Sequence, residues 1–262
     1  MKKTILILSA VLASTTLLPQ ATSAREGEDV RIAVDVPYTP FEYRTADGNL
    51  TGFEIELGDA LCAEAKLKCS WVEQSWDGII PGLLAHKYDA ILSSMSITPE
   101  RAKQVLFSEP YYLTPSIWVT RKDRAIDIDD KASLKGLTVG VQRGDIRDNY
   151  LSEFYADTLT IRRYATAEDV ATDFETGRLD LAMMDYPVAL ETLNFLAPDS
   201  PYRQVGPGIR EPERIFGKGA AVAFRKRDKA LAEKFNQALE TVKQDGTYDR
   251  LMKKYFGYDI KI

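Results

Sequence analysis

Very little in this chain is equipped for covalent or metal chemistry. Its 262 residues include one histidine, His86, and two cysteines, Cys62 and Cys69. A lone imidazole, with no Gly-x-Ser-x-Gly turn anywhere in the sequence, offers no nucleophile paired with a base. Two thiols and one histidine cannot close a four-ligand zinc centre, so no metal site is expected. Glycine-rich phosphate loops are missing as well, and no cofactor is expected. The 34 lysines and arginines are scattered among 39 acidic residues for a net charge of −5, so a nucleic-acid backbone finds no basic footprint. Internal repeats and low-complexity tracts are absent.

Long apolar runs are confined to the start. Lys2 and Lys3 precede the apolar stretch Ile5 to Leu18, and the small residues Ala21, Thr22, Ser23 and Ala24 follow before charged residues resume at Arg25. The stretch is short of the ~20 residues a spanning helix needs. The pattern is that of a secretory signal, residues 1–24, removed after Ala24. The thiols of an exported chain oxidise, so Cys62 and Cys69 are expected to pair. A loop that short contributes about 2 kcal/mol on the chain-entropy estimate, a local staple.

The remaining residues alternate strand-like and helix-like patterns, and the strand runs are mostly unbroken apolar stretches, as in sheets covered on both faces. Val30 to Val36, Phe53 to Lys66, Ser70 to Glu73, Ile79 to His86 and Tyr88 to Ser93 read as strand, helix, strand, helix, strand. After the strand Ser116 to Lys122 and a polar link, the same order restarts at Leu137 and runs to Met184. The class is therefore α/β, with two lobes, each a mostly parallel sheet flanked by helices. The last strand, Ala220 to Arg225, and the helix Lys229 to Gln244 are assigned to the first lobe. Lobe 1 is expected to hold residues 25–113 plus 207–262, lobe 2 residues 114–206, with a two-strand hinge near Thr114 and Gly206.

Ligands of open α/β sheets sit beyond the carboxyl ends of strands. Asp35 ends the first strand, and Pro37, Tyr38, Pro40 and Phe41 follow it in a stiffened loop. Ser93, Ser94 and Ser96 close the third strand, Asp145 follows the Gly144 turn, and Asp185 ends a strand of the second lobe. Thr98 and Pro99 suit the start of a helix, from whose first turn Arg101 emerges beside free backbone amides, a combination fit for a carboxylate. The same residues also suit an ordinary salt bridge and strand ends. Isolated Asp residues equally form turns, and Tyr38 and Trp76 suit either a ligand sandwich or core.

Several segments together resemble the polar amino-acid binding proteins of bacterial ABC importers, most closely the lysine/arginine/ornithine and histidine branch. They are Asp35-x-x-Tyr38-x-Pro40-Phe41, Gly52 to Leu57, Asp89-Ala90-Ile91, Ser96-Ile97-Thr98-x-x-Arg101 and Phe107-Ser108-x-Pro110-Tyr111-Tyr112, with Asp245 to Asp249 and Lys254-Tyr255-Phe256 near the end. The resemblance implies a type 2 periplasmic binding fold, a monomer without enzymatic activity, closing on one L-amino acid for the membrane subunits of an ABC importer. Arg101 would hold the α-carboxylate, Asp185 the α-ammonium, and Ser93, Ser94 and Ser96 would line that end. Tyr38 and Trp76 would sandwich the side chain, and Asp35 would meet a distal positive group, which favours arginine, lysine, ornithine or histidine. Cys62 and Cys69 match a disulfide position of that branch.

The chain departs from the family pattern after Gly144, where Asp145, Ile146 and Arg147 replace small hydroxyl and polar residues. That loses a hydroxyl contact to the carboxylate. Asp145 could add an acidic contact, and Arg147 could take an extra carboxylate, which makes opines the alternative ligands. A cyclohexadienyl dehydratase-like enzyme on the same fold is the alternative from another class.

Overall fold

Burial along the first strand explains the sheet it builds. In the computed structural model, which describes residues 27–261, β1 (Asp29–Val34) buries Val30, Ile32, Ala33 and Val34, as a strand covered on both faces requires. The expected signal segment and its cleavage after Ala24 lie outside the described residues. After the hairpin of β2 (Tyr43–Arg44) and β3 (Leu50–Thr51), α1 (Phe53–Glu64) turns Phe53, Ile55, Leu57 and Leu61 inward. β4 (Lys68–Glu73) pairs in parallel with β1 along its whole length. Cys62 of α1 is joined to Cys69 of β4 in the expected disulfide. α2 (Ile79–Leu84) leads to β5 (Ala90–Ile91), parallel on the other side of β1, and α3 (Pro99–Gln104) and β6 (Val105–Phe107) end this pass.

The second sheet opens with β7 (Ser116–Arg121) and continues through β8 (Thr138–Gln142), α4 (Ile146–Phe154), β9 (Thr160–Tyr164), α5 (Ala167–Glu175) and β10 (Leu181–Asp185). α6 (Tyr186–Leu193), β11 (Tyr202–Ile209) and α7 (Glu213–Phe216) follow. The chain then returns with β12 (Ala223–Arg225), α8 (Lys229–Gln244) and α9 (Thr247–Tyr255). Strand orders are β4-β1-β5-β12-β6 and β11-β7-β10-β8-β9. The βαβ units of each pass supply the parallel pairings, and the strands brought in across the crossings add antiparallel ones, so both sheets are mixed.

The return crossing lies later than the glycines suggest. Gly206, Pro207 and Gly208 belong to an irregularity between Val205 and Ile209 within β11, which stays paired with β7 to its end. Ile215 and Phe216 of α7 then pack with Trp118 and Leu151 in the core of the second sheet. The chain rejoins the first lobe at Lys218 and Gly219, which pair with Ile97, and at Ala220, which is bridged to Ser96 and Tyr112. Among the described residues no helix is long and apolar enough to cross a membrane.

Candidate ligand-binding site

Strand ends and helix starts deliver polar groups to the space between the two sheets. On the first side, Asp35 follows β1 directly, and its backbone N–H donates to Ser93 Oγ, just past β5, at 2.9 Å. Tyr38 is buried and stacked on Phe41, with ring centroids 5.9 Å apart. Thr98 caps α3 by accepting the Arg101 N–H at 3.2 Å, with Pro99 as the first helical residue. The cap sets Arg101 in the first turn, where its Nη1 donates to Ser96 O at 3.2 Å and its guanidinium lies 5.1 Å from the Trp76 ring centroid. Burial, helped by nearby Arg147 and opposed by Asp145, pulls the Arg101 pKa down to about 10, so it stays cationic at neutral pH.

Across the gap, Asp145 is the N-cap of α4. Its Oδ1 accepts the N–H groups of Arg147 and Asp148, each at 2.8 Å, and its Oδ2 lies 3.0 Å from Arg147 Nε. Arg147 Nη2 donates to the Tyr38 hydroxyl at 2.5 Å and lies 3.6 Å from Asp185 Oδ2. Asp185 also accepts from the Thr114 hydroxyl at 3.0 Å, while its Oδ1 is buried without a hydrogen-bond partner. Burial raises the pKa of both Asp145 and Asp185 against the pull of Arg147. Burial would lower that of Arg147, but Asp145, Tyr38 and Asp185 outweigh it and hold the cation.

All the residues singled out in the sequence line one cavity: Asp35, Tyr38, Trp76, the three serines Ser93, Ser94 and Ser96, Arg101, Asp145, Ile146, Arg147 and Asp185. Two further lining residues escaped the sequence reading, Glu42 and Gln142. Gln142 is the last residue of β8, the same strand-end position that marked the others. Its Nε2 reaches across the gap to Asp35 Oδ2 at 2.8 Å and also donates to Ala165 O at 3.2 Å. Burial, reinforced by Asp77 and opposed by Gln142 and the Trp76 amide, pushes the Asp35 pKa up to about 6.

Other contacts close the gap from outside. Trp76 Nε1 donates to Gly144 O at 3.1 Å, and at the half-exposed rim Arg143 Nε lies 3.0 Å from Asp77 Oδ2. Past Trp76 and Arg101 the cavity borders a more open groove. The two suggested roles of the Gly144 segment meet competing contacts. The Asp145 carboxylate is taken up by the helix cap and Arg147, and Arg147 is held by two carboxylates and a phenol.

Two sheet bodies joined by two crossings around a buried, charge-lined cleft define a two-lobed α/β solute-binding protein. The chain belongs to the bacterial extracellular solute-binding proteins, family 3, whose pattern matches residues 30–258. It is 40% identical over 261 residues to an L-arginine-binding protein of Pseudomonas aeruginosa, covering 98% of each chain. Identity to the lysine/arginine/ornithine-binding periplasmic protein of Escherichia coli is 36% over 261 residues, covering 99% of each. A solved Salmonella typhimurium periplasmic binding protein, described for high arginine specificity, superposes with a TM-score of 0.80 at 32% identity, covering 88% of this chain and all of that one.

Proposed function

We propose that the protein captures a basic L-amino acid, arginine before lysine, ornithine or histidine, in this cleft. In this reading it acts in the periplasm as a monomer and presents its closed form to the membrane subunits of an ABC importer. One observation carries the choice of ligand. Asp185 Oδ1 is a buried acceptor without a donor, in a cavity that also holds the Arg101 guanidinium and the Asp35 carboxyl. These supply an acceptor for an α-ammonium, a planar donor for an α-carboxylate and a second acid for a distal cation. Apart from Glu42 and the neutral Tyr38 phenol, the ionisable lining comprises three aspartates and two arginines, one negative charge in excess, which matches a ligand of net charge +1.

Each hydrogen bond to a charged group contributes about 1.5–3 kcal/mol, and micromolar affinity needs about 8 kcal/mol, so contacts from both lobes must act together. The opine reading rests on Arg147 lying inside the cavity. Its guanidinium already faces Asp145, Asp185 and Tyr38, so an added carboxylate would have to displace those partners, which favours a single amino acid.

The deciding experiment is calorimetric titration of protein unfolded, stripped of solute and refolded. L-Arginine should bind one to one at micromolar concentration or tighter. Binding of octopine with no heat from any basic amino acid would overturn the assignment. Prephenate absorbance should stay constant on incubation with the protein, since no catalysis is proposed.

A further inference from the structure

At the cavity floor, and just behind it, lie two carboxyl groups that ligand binding does not explain, Glu42 in the lining and Glu54 beyond it. Glu42 and Glu54 are both fully buried and stand within hydrogen-bonding reach of each other. Their surroundings are unequal. Glu54 is satisfied as a carboxylate: Oε1 accepts from the Tyr111 hydroxyl at 2.5 Å, and Oε2 accepts from the Ser94 N–H at 2.7 Å and the Ser94 hydroxyl at 3.3 Å. Ser94 adopts a φ of 50°, left-handed for a non-glycine residue, in making that contact. Glu42 has a single donor, the Ser93 hydroxyl on Oε1 at 2.6 Å, and its Oε2 is buried without one. Both Glu54 oxygens already accept, so a proton shared by the pair is best placed on Glu42 Oε2, where it turns an oxygen without a donor into a donor.

We propose that Glu42 is a neutral acid that donates its proton to Glu54 and acts as a positioning residue, holding Asp35 through Ser93. The chain of contacts is continuous. The Glu42 carboxyl is hydrogen-bonded to that of Glu54, the Ser93 hydroxyl donates to Glu42 Oε1, and Ser93 Oγ accepts the Asp35 N–H. The titratable groups that act most strongly on the pair are Asp35, Tyr111 and Tyr112, with Tyr248 and Asp185 beyond, none of them basic, while Tyr38, Arg101 and Arg147 line the same cavity as Glu42. Burial first, and then the neighbouring Glu54, holds the Glu42 carboxyl well above the usual carboxylate range. Two ionised carboxylates with no cation between them would be strongly disfavoured in so dry a place. The consequence for the site is that Glu42 adds no negative charge to the floor. The count matched to a singly cationic ligand is thereby left to Asp35, Asp145, Asp185 and the two arginines, a point that rests on the ligand reading above.

Two measurements on the mature chain test it. By infrared spectroscopy at pH 8, the ligand-free protein should show the C=O stretch of a protonated carboxyl, which shifts in D2O and disappears in Glu42→Gln. In parallel, titration with L-arginine should show Glu42→Ala weakened at least tenfold and Glu42→Gln recovering most of that loss, because an amide reproduces the neutral acid's donor. Glu54→Gln should recover nothing relative to Glu54→Ala, because its NH2 would face the donors of Ser94 or Tyr111. Absence of the band, its survival in Glu42→Gln, or rescue at Glu54 instead of Glu42 would overturn the proposal. The infrared arm needs no ligand, so it separates this outcome from a failure of the arginine assignment.

Discussion

At the scale of single residues, Asp35 shows how an acid lining the cavity is held at a cost to the fold. Burial raises its pKa to about 6, above the unfolded value of about 3.9. The folded state therefore binds more protons than the unfolded state between those values. Its contribution to stability is favourable at low pH and is lost as pH rises through about 6. A ligand cation requires the ionised form, so binding runs the other way. L-Arginine affinity should be constant above pH 6 and fall about tenfold per pH unit below it, as calorimetry across pH 5–8 would show. Asp35→Asn should flatten that profile, weaken arginine binding about 10- to 100-fold, and raise the melting temperature of the ligand-free protein at pH 8. Asp35, Arg101 and Asp185 were legible because each is a polar residue at the end of an apolar strand or the start of a capped helix. Gln142 obeys the same rule. Glu42 does not, because its burial depends on contacts with Glu54 and Ser93 that no local pattern encodes.

At the scale of elements, the start of α4 does two jobs with one side chain. Asp145 caps the helix through Oδ1 and holds the Arg147 guanidinium through Oδ2. The two roles separate by substitution. Asp145→Asn keeps an oxygen acceptor for the cap and loses the charge, whereas Asp145→Ala loses both. Urea unfolding should place Asp145→Ala about 1 kcal/mol below Asp145→Asn, the usual size of a cap. In both variants Arg147 keeps only Asp185 as a charged partner, so it should compete harder for that carboxylate and weaken arginine binding alike. Equal stability of the two variants would show the cap to be idle. Most elements were visible from periodicity, but β2, β3, β6, α6, β11, α7 and α9 were not. Val105 to Phe107 is three residues long, and β11 is interrupted by Gly206, Pro207 and Gly208, which read as a crossing between the lobes. In the sheet those residues form an irregularity instead, and the hinge shifts accordingly.

At the scale of the whole molecule, closure is held partly by the protein's own groups. Gln142 to Asp35, Arg147 to Tyr38 and Trp76 to Gly144 are hydrogen bonds across the cleft that need no ligand. Each favours the closed state whether or not solute is present, and affinity depends on how much of the closed state is available to select. A neutral hydrogen bond is worth about 0.5–1.5 kcal/mol, and one to an ionised carboxylate about 1.5–3. Gln142→Ala removes a single cross-cleft bond without touching Arg101 or Asp185. It should enlarge the radius of gyration of the ligand-free protein in solution scattering and leave that of the arginine-saturated protein unchanged. Arginine affinity should fall about 3- to 10-fold, the lost bond appearing as a smaller closed fraction. Tighter arginine binding in Gln142→Ala would mean that the amide occupies the position of the ligand's distal group and opposes binding. Gln142 would then set ligand length rather than lobe closure.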